Sequence, residues 1–100
     1  MSHEPQWWVA AVGDTLIWAR LTITDAGIAE VFDSDGGVLH YDDETQARMA
    51  LLDAEFRAWD GLDEEDAAQM GFDLEFTAPP EAESDEDLLP LMTEKLLKGN

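Results

Sequence analysis

Thr15-Leu16-Ile17-Trp18-Ala19-Arg20-Leu21-Thr22-Ile23 is the stretch whose reading decides the fold. Ile17, Ala19, Leu21 and Ile23 fall on one side of an extended backbone; Leu16, Trp18, Arg20 and Thr22 fall on the other. Alternation with period two, carried by β-branched and aromatic residues, argues for a half-buried strand. The same logic extends outward. Upstream, Gln6 to Val12 is a short apolar run rich in Trp and Val that ends at Gly13-Asp14. Downstream, Asp25-Ala26-Gly27 supplies a turn, and Ile28 to Phe32 reads as a third strand with Ile28, Glu30 and Phe32 on one face. Asp33-Ser34-Asp35-Gly36-Gly37 is a hairpin signal, because Asp-Gly and Gly-Gly reach positive φ at little steric cost. Val38 to Tyr41 follows as a fourth strand. Short turns between four strands make an antiparallel meander the economical arrangement.

Near Asp42 the apolar period changes from two to about 3.6. Asp42 or Asp43 can cap a helix whose first turn holds Glu44, favourable against the positive end of the helix dipole. Thr45, Met49, Leu52, Phe56 and Trp59 then form one apolar stripe, widened by Ala47, Ala50, Leu51, Ala54 and Ala58. Glu44 with Arg48 and Asp53 with Arg57 are expected i,i+4 pairs, each worth roughly 0.2–0.5 kcal/mol. The spacing predicts a main helix from Asp43 to Asp60, stopped by Gly61. A second, shorter helix runs from Asp63 to Met70, with Gly71 ending it. Phe72, Leu74 and Phe76 alternate with Asp73 and Glu75 as a possible short final strand, and Pro79-Pro80 closes the domain.

The expected architecture is α+β: a four-stranded antiparallel meander packed against one main helix, with a second short helix and an acidic C-terminal tail. Residues 1–5 are expected to be a flexible N-terminus, 6–78 a compact domain and 79–87 an acidic linker. Residues 88–100 form an amphipathic or disordered segment in which Leu88, Leu89, Leu91, Met92, Leu96 and Leu97 cluster around Lys95 and Lys98. Ser84 or Asp87 could cap a helix there. About ten residues of helix are marginal alone in water, so the segment docks on the domain, docks on a partner, or stays disordered. The core is expected to rest on Ile17, Leu21, Ile23, Leu52, Phe56 and Trp59.

Charge constrains the function classes more than any motif does. The 100 residues carry 24 acidic and 5 basic side chains, a formal net charge of -19. No Lys or Arg stands between Arg57 and Lys95, whereas that interval holds acidic residues from Asp60 to Glu94. Such a surface repels nucleic-acid phosphates and anionic lipid head groups, so neither is an expected partner. No run of 18 apolar residues is present, so no membrane span is expected. The chain has no cysteine, and its first residues lack the basic and apolar regions of a secretory signal. A cytoplasmic setting is the expectation.

Motifs for catalysis are weak. Asp33, Asp35 and Glu44 match positions 1, 3 and 12 of a calcium loop, but Gly37 and Val38 occupy positions 5 and 6, where a ligand and a glycine are needed. The hairpin turn fits better. His40 lies beside Tyr41, Asp42 and Asp43, but the second histidine is His3, near the start of the chain, and a metal site needs at least three converging ligands. No nucleophile motif, glycine-rich phosphate loop or basic clamp is present. No enzyme activity, metal or cofactor is expected, and the oligomeric state stays open.

Two binding readings remain. In the first, a small acidic module engages a basic protein surface, as an inhibitor, an immunity-type protein or a nucleic-acid mimic. The acidic face from Asp60 to Glu75 supplies the steering, with Asp60, Asp63, Glu64, Glu65 and Asp66 as the first contacts. In the second, an adaptor binds through its Leu-rich end, with Leu88, Leu89, Met92 and Leu96 as contacts. An acidic domain with no basic partner is the remaining possibility. Trp18 beside Arg20 is either part of a binding surface or covered by the C-terminal segment. Trp7 and Trp8, being adjacent in a strand, must face opposite ways.

Overall fold

The nine residues from Thr15 to Ile23 form the central strand of the molecule. In a computed structural model that describes residues 5–95, β1 (Gln6–Val12), β2 (Thr15–Ile23), β3 (Ala29–Phe32) and β4 (Val38–Tyr41) build the expected antiparallel meander. Gly13 takes φ 62° in the tight turn from β1 to β2, and Gly36 takes φ 86° in the turn from β3 to β4. Helices pack on this sheet, giving an α+β fold. The third strand begins one residue late, at Ala29, leaving Ile28 exposed.

The first helix, α1 (Glu44–Asp53), is shorter than its apolar stripe suggests. Asp43 caps it, its carboxylate accepting from the Gln46 N–H at 2.8 Å. At the other end Glu55, not Gly61, adopts the left-handed conformation, with φ 69°. The Phe56 N–H donates to the Leu51 carbonyl at 2.9 Å and the Glu55 N–H to the Leu52 carbonyl at 3.0 Å. This is the Schellman pattern, completed by Leu51 and Phe56 packing in the same apolar cluster. The chain leaves extended as β5 (Arg57–Ala58) and pairs with Trp8 and Val9 of β1. The helix expected from Asp43 to Asp60 is therefore corrected, and with it the Asp53–Arg57 pair. Its burial is also different: Ala47 and Leu51 face the sheet, while Met49 and Leu52 are 61% and 54% exposed. Of the expected core anchors, Leu21 is fully buried; Ile17, Ile23, Phe56 and Trp59 are half-buried.

After a 3-10 turn at Trp59–Gly61, α2 (Glu64–Met70) follows as read, capped by Asp63 and ended by Gly71 at φ 93°. The possible strand at Phe72–Phe76 is instead a 3-10 turn at Leu74–Phe76. The Asp73 carboxylate accepts from the Glu75 N–H at 3.0 Å and bends the backbone away from an extended course. Residues 81–87 are exposed, and α3 (Asp85–Leu88) begins within them, capped by Ser84. A 3-10 turn at Leu89–Leu91 and a last strand, β6 (Thr93–Lys95), complete the described chain.

β5 and β6 together make the sheet larger than the meander. β2 has nine residues, and β3 pairs with only its second half, Arg20 to Ile23. The vacant edge at Thr15 to Ile17 takes β6, and the Trp18 N–H donates to the Met92 carbonyl at 2.8 Å. The strand order is β4-β3-β2-β1-β5, with β6 on β2.

Both faces of this sheet are buried. One, with Trp8, Ala19, Leu21, Ala29 and Val31, lies under Ala47 and Leu51 of α1. The other, with Val9, Leu16, Trp18 and Phe32, lies under Ala67, Phe72, Leu88 and Met92. Trp18 is central to an aromatic row: Trp7 meets it edge-on with centroids 6.1 Å apart, Trp59 lies 5.3 Å away, and Phe72 stacks on Trp59 at 6.0 Å. Such pairs add roughly 0.5–1.5 kcal/mol each beyond their burial.

Candidate functional site

The carboxylates at the start of α2 owe their placement to local capping. Asp63 Oδ1 accepts from the Asp66 N–H at 2.8 Å, which fixes the helix start and projects Glu64 and Glu65 into solvent. Negative charge in this first turn is favourable against the helix dipole. Asp66 is only half exposed, and its Oδ2 lies 3.7 Å from Arg57 Nη2. The absence of Lys and Arg between Arg57 and Lys95 predicts no basic neighbour for the five carboxylates; for Asp66 that is corrected. β5 brings Arg57 alongside α2, a contact that the expected continuous helix would not have made.

The structure separates the remaining four. Asp60, in the turn after β5, lines a shallow cleft with Trp7, Arg48 and Gly61. Glu64 belongs to another, of about 300 Å³, formed with Ala68, Phe72, Asp73, Leu74 and Glu75. Asp63 is occupied as a cap, and Glu65 is exposed. The second cleft has the more distinct chemistry. Glu64, Asp73 and Glu75 supply carboxylates, while Phe72, Leu74 and Ala68 supply apolar surface. One oxygen of Asp73 is engaged by the Glu75 N–H. Asp73 and Glu75 lie on the acidic face that the sequence predicts but are not among its expected contacts. The signal that could have singled them out is Gly71, which ends α2 and returns the chain past it.

Every Lys and Arg among the described residues already has a carboxylate within 4.0 Å: Arg20 with Asp85, Arg48 with Glu44, Arg57 with Asp66 and Lys95 with Asp14. Glu64, Asp73 and Glu75 form no such pair there.

The other expected contacts divide sharply. Trp18, Leu88 and Met92 are 1%, 3% and 0% exposed, so they present no surface to a partner. The physical reason is the second face of the sheet, which the C-terminal segment covers. Leu89 is half-buried, with its side chain against Gly36. Leu96, with Leu97, Lys98 and His3, lies outside the described residues. His40 Nε2 sits 3.2 Å from Glu30 Oε2 across the β3–β4 pair, and no group of three metal-ligating side chains converges among the described residues. No helix there is long and apolar enough to cross a membrane. In comparison with known proteins, no family model, curated protein or solved structure matches this chain.

Proposed function

We propose that this chain is a binding module that engages a basic protein surface through the acidic cleft between α2 and the Leu74–Phe76 turn. The observation that carries the reading is the cleft's composition: three carboxylates, Glu64, Asp73 and Glu75, beside the apolar surface of Phe72 and Leu74. A Lys or Arg side chain matches both parts, laying its methylenes on the apolar surface and its charge among the carboxylates. Each Lys and Arg among the described residues is already paired elsewhere, so none of these competes for the three carboxylates. On this reading the chain acts as an inhibitor, an immunity-type protein or a mimic of nucleic acid. The lack of cysteine supports a cytoplasmic setting. Burial of Leu88 and Met92 favours the acidic face over the Leu-rich segment as the binding element.

The test takes a partner retained by the immobilised chain at low salt and measures its association and dissociation rates. Reversing Glu64 and Glu65 to Lys should slow association about tenfold or more and change dissociation much less, as exposed interface charges generally do. Affinity should also fall as salt is added. Binding that ignores both salt and charge reversal would overturn the proposal.

A further inference from the structure

We infer that the outer edge of β4, at the opposite side of the sheet from β5, accepts an extended segment of a basic partner as an added strand. The hydrogen-bond pattern identifies which groups are free. The Asp33 N–H donates to the Gly37 carbonyl at 3.2 Å, closing the hairpin. Antiparallel pairs alternate between bonded and non-bonded. With Phe32 opposite Val38, Val31 opposite Leu39 and Glu30 opposite His40, the backbone groups of Leu39 face β3 and those of Val38 and His40 face outward. No strand among the described residues pairs with that edge.

Its side chains are as open as its backbone. Val38 and Leu39 are 47% and 50% exposed, on opposite faces of the sheet. The four residues Val38–Tyr41 include neither lysine nor proline, two of the usual guards of a free edge. The guards stand at its two ends instead, as Asp35 before the strand and Asp42 after it, both exposed. That placement selects the occupant. A second copy pairing antiparallel about Leu39, with Val38 opposite His40, sets Asp35 against Asp43, and one pairing in parallel brings each end carboxylate beside its equivalent. Either way carboxylate meets carboxylate, on molecules with a formal net charge of -19. A segment with β-branched residues at its centre and Lys or Arg at both ends meets complementary charge. Backbone bonds then give affinity, and the end charges give selection. This surface is independent of the cleft beside α2.

The experiment titrates the isotope-labelled full chain with two synthetic peptides that share a Val-Thr-Val-Thr centre, one with Lys-Lys at each end and the other with Glu-Glu. The Lys-ended peptide should shift the Val38 and His40 amide resonances and bind at least tenfold more tightly than the Glu-ended one. Val38→Pro removes an outward donor and no bond to β3, so it should weaken binding at least tenfold; Glu64→Lys should leave the Val38 and His40 shifts in place. If the proline variant does not fold, a Lys-ended peptide N-methylated at alternate residues replaces it and should bind the natural chain at least tenfold more weakly. Shifts that spare β4, equal affinity for both peptides, undiminished binding after either backbone block, no binding at millimolar peptide, or self-association of the chain through β4 would each overturn the inference.

Discussion

Glu55 carries the left-handed turn that releases the chain from α1 into β5, at φ 69°. A residue with a Cβ pays roughly 1–2 kcal/mol for this conformation, partly recovered here through the Leu51–Phe56 contact. Its side chain is exposed and makes no ion pair with a described residue. Glu55→Gly should therefore stabilise the fold by about 0.5–1 kcal/mol net of glycine's larger unfolded-state entropy, raising the melting temperature by a few degrees. A thermal melt with an unchanged or lower midpoint would show that the turn is held by something other than its backbone geometry. No local signal announced this turn. Gly61 offered a conventional stop, and Phe56 and Trp59 continued the helical stripe past the true end. Only the tertiary pull of β1's free edge, and Phe56 folding back on Leu51, decide otherwise.

Elements defined by their own sequence were legible; elements defined by another element's vacancy were not. β1, β2 and β4 have the boundaries their alternation implies, and α2 starts and ends at its cap residues Asp63 and Gly71. β5 and β6 are two and three residues long, too short to hold a period, and exist because β1 has a free edge and β2 outruns β3. The C-terminal Leu-rich cluster showed amphipathic character without saying what it covers. It covers Trp18. Met92 has no exposed surface and sits in the cluster with Trp18 and Leu16, so Met92→Ala should cost about 2–5 kcal/mol. Leu91, 48% exposed one position away, should tolerate the same change within about 0.5 kcal/mol. Equal melting temperatures for the two variants would remove the C-terminal segment from the core.

Across the whole molecule, carboxylates outnumber cations so far that pairing cannot balance them, and the described ion pairs already use each described Lys and Arg. Like charges on a body extending 48 × 27 × 23 Å oppose its compaction. Added salt shortens the screening length from about 30 Å at 0.01 M to about 8 Å at 0.15 M. The melting temperature should rise over that range; a flat response in calorimetry would mean the charges are too widely spread to strain the fold. Acidity was readable from composition alone, but not the cleft, because Glu64 reaches Asp73 and Glu75 only after Gly71 turns the chain. The β2–β6 pairing has a consequence for biosynthesis. Thr15 and Lys95 are register partners, near opposite ends of the described chain. A nascent polypeptide growing at roughly 5–20 residues per second therefore displays Leu16 and Trp18 to water for several seconds before Leu88 and Met92 emerge to cover them. Through that interval the bare face of the half-built sheet is a natural landing place for a chaperone.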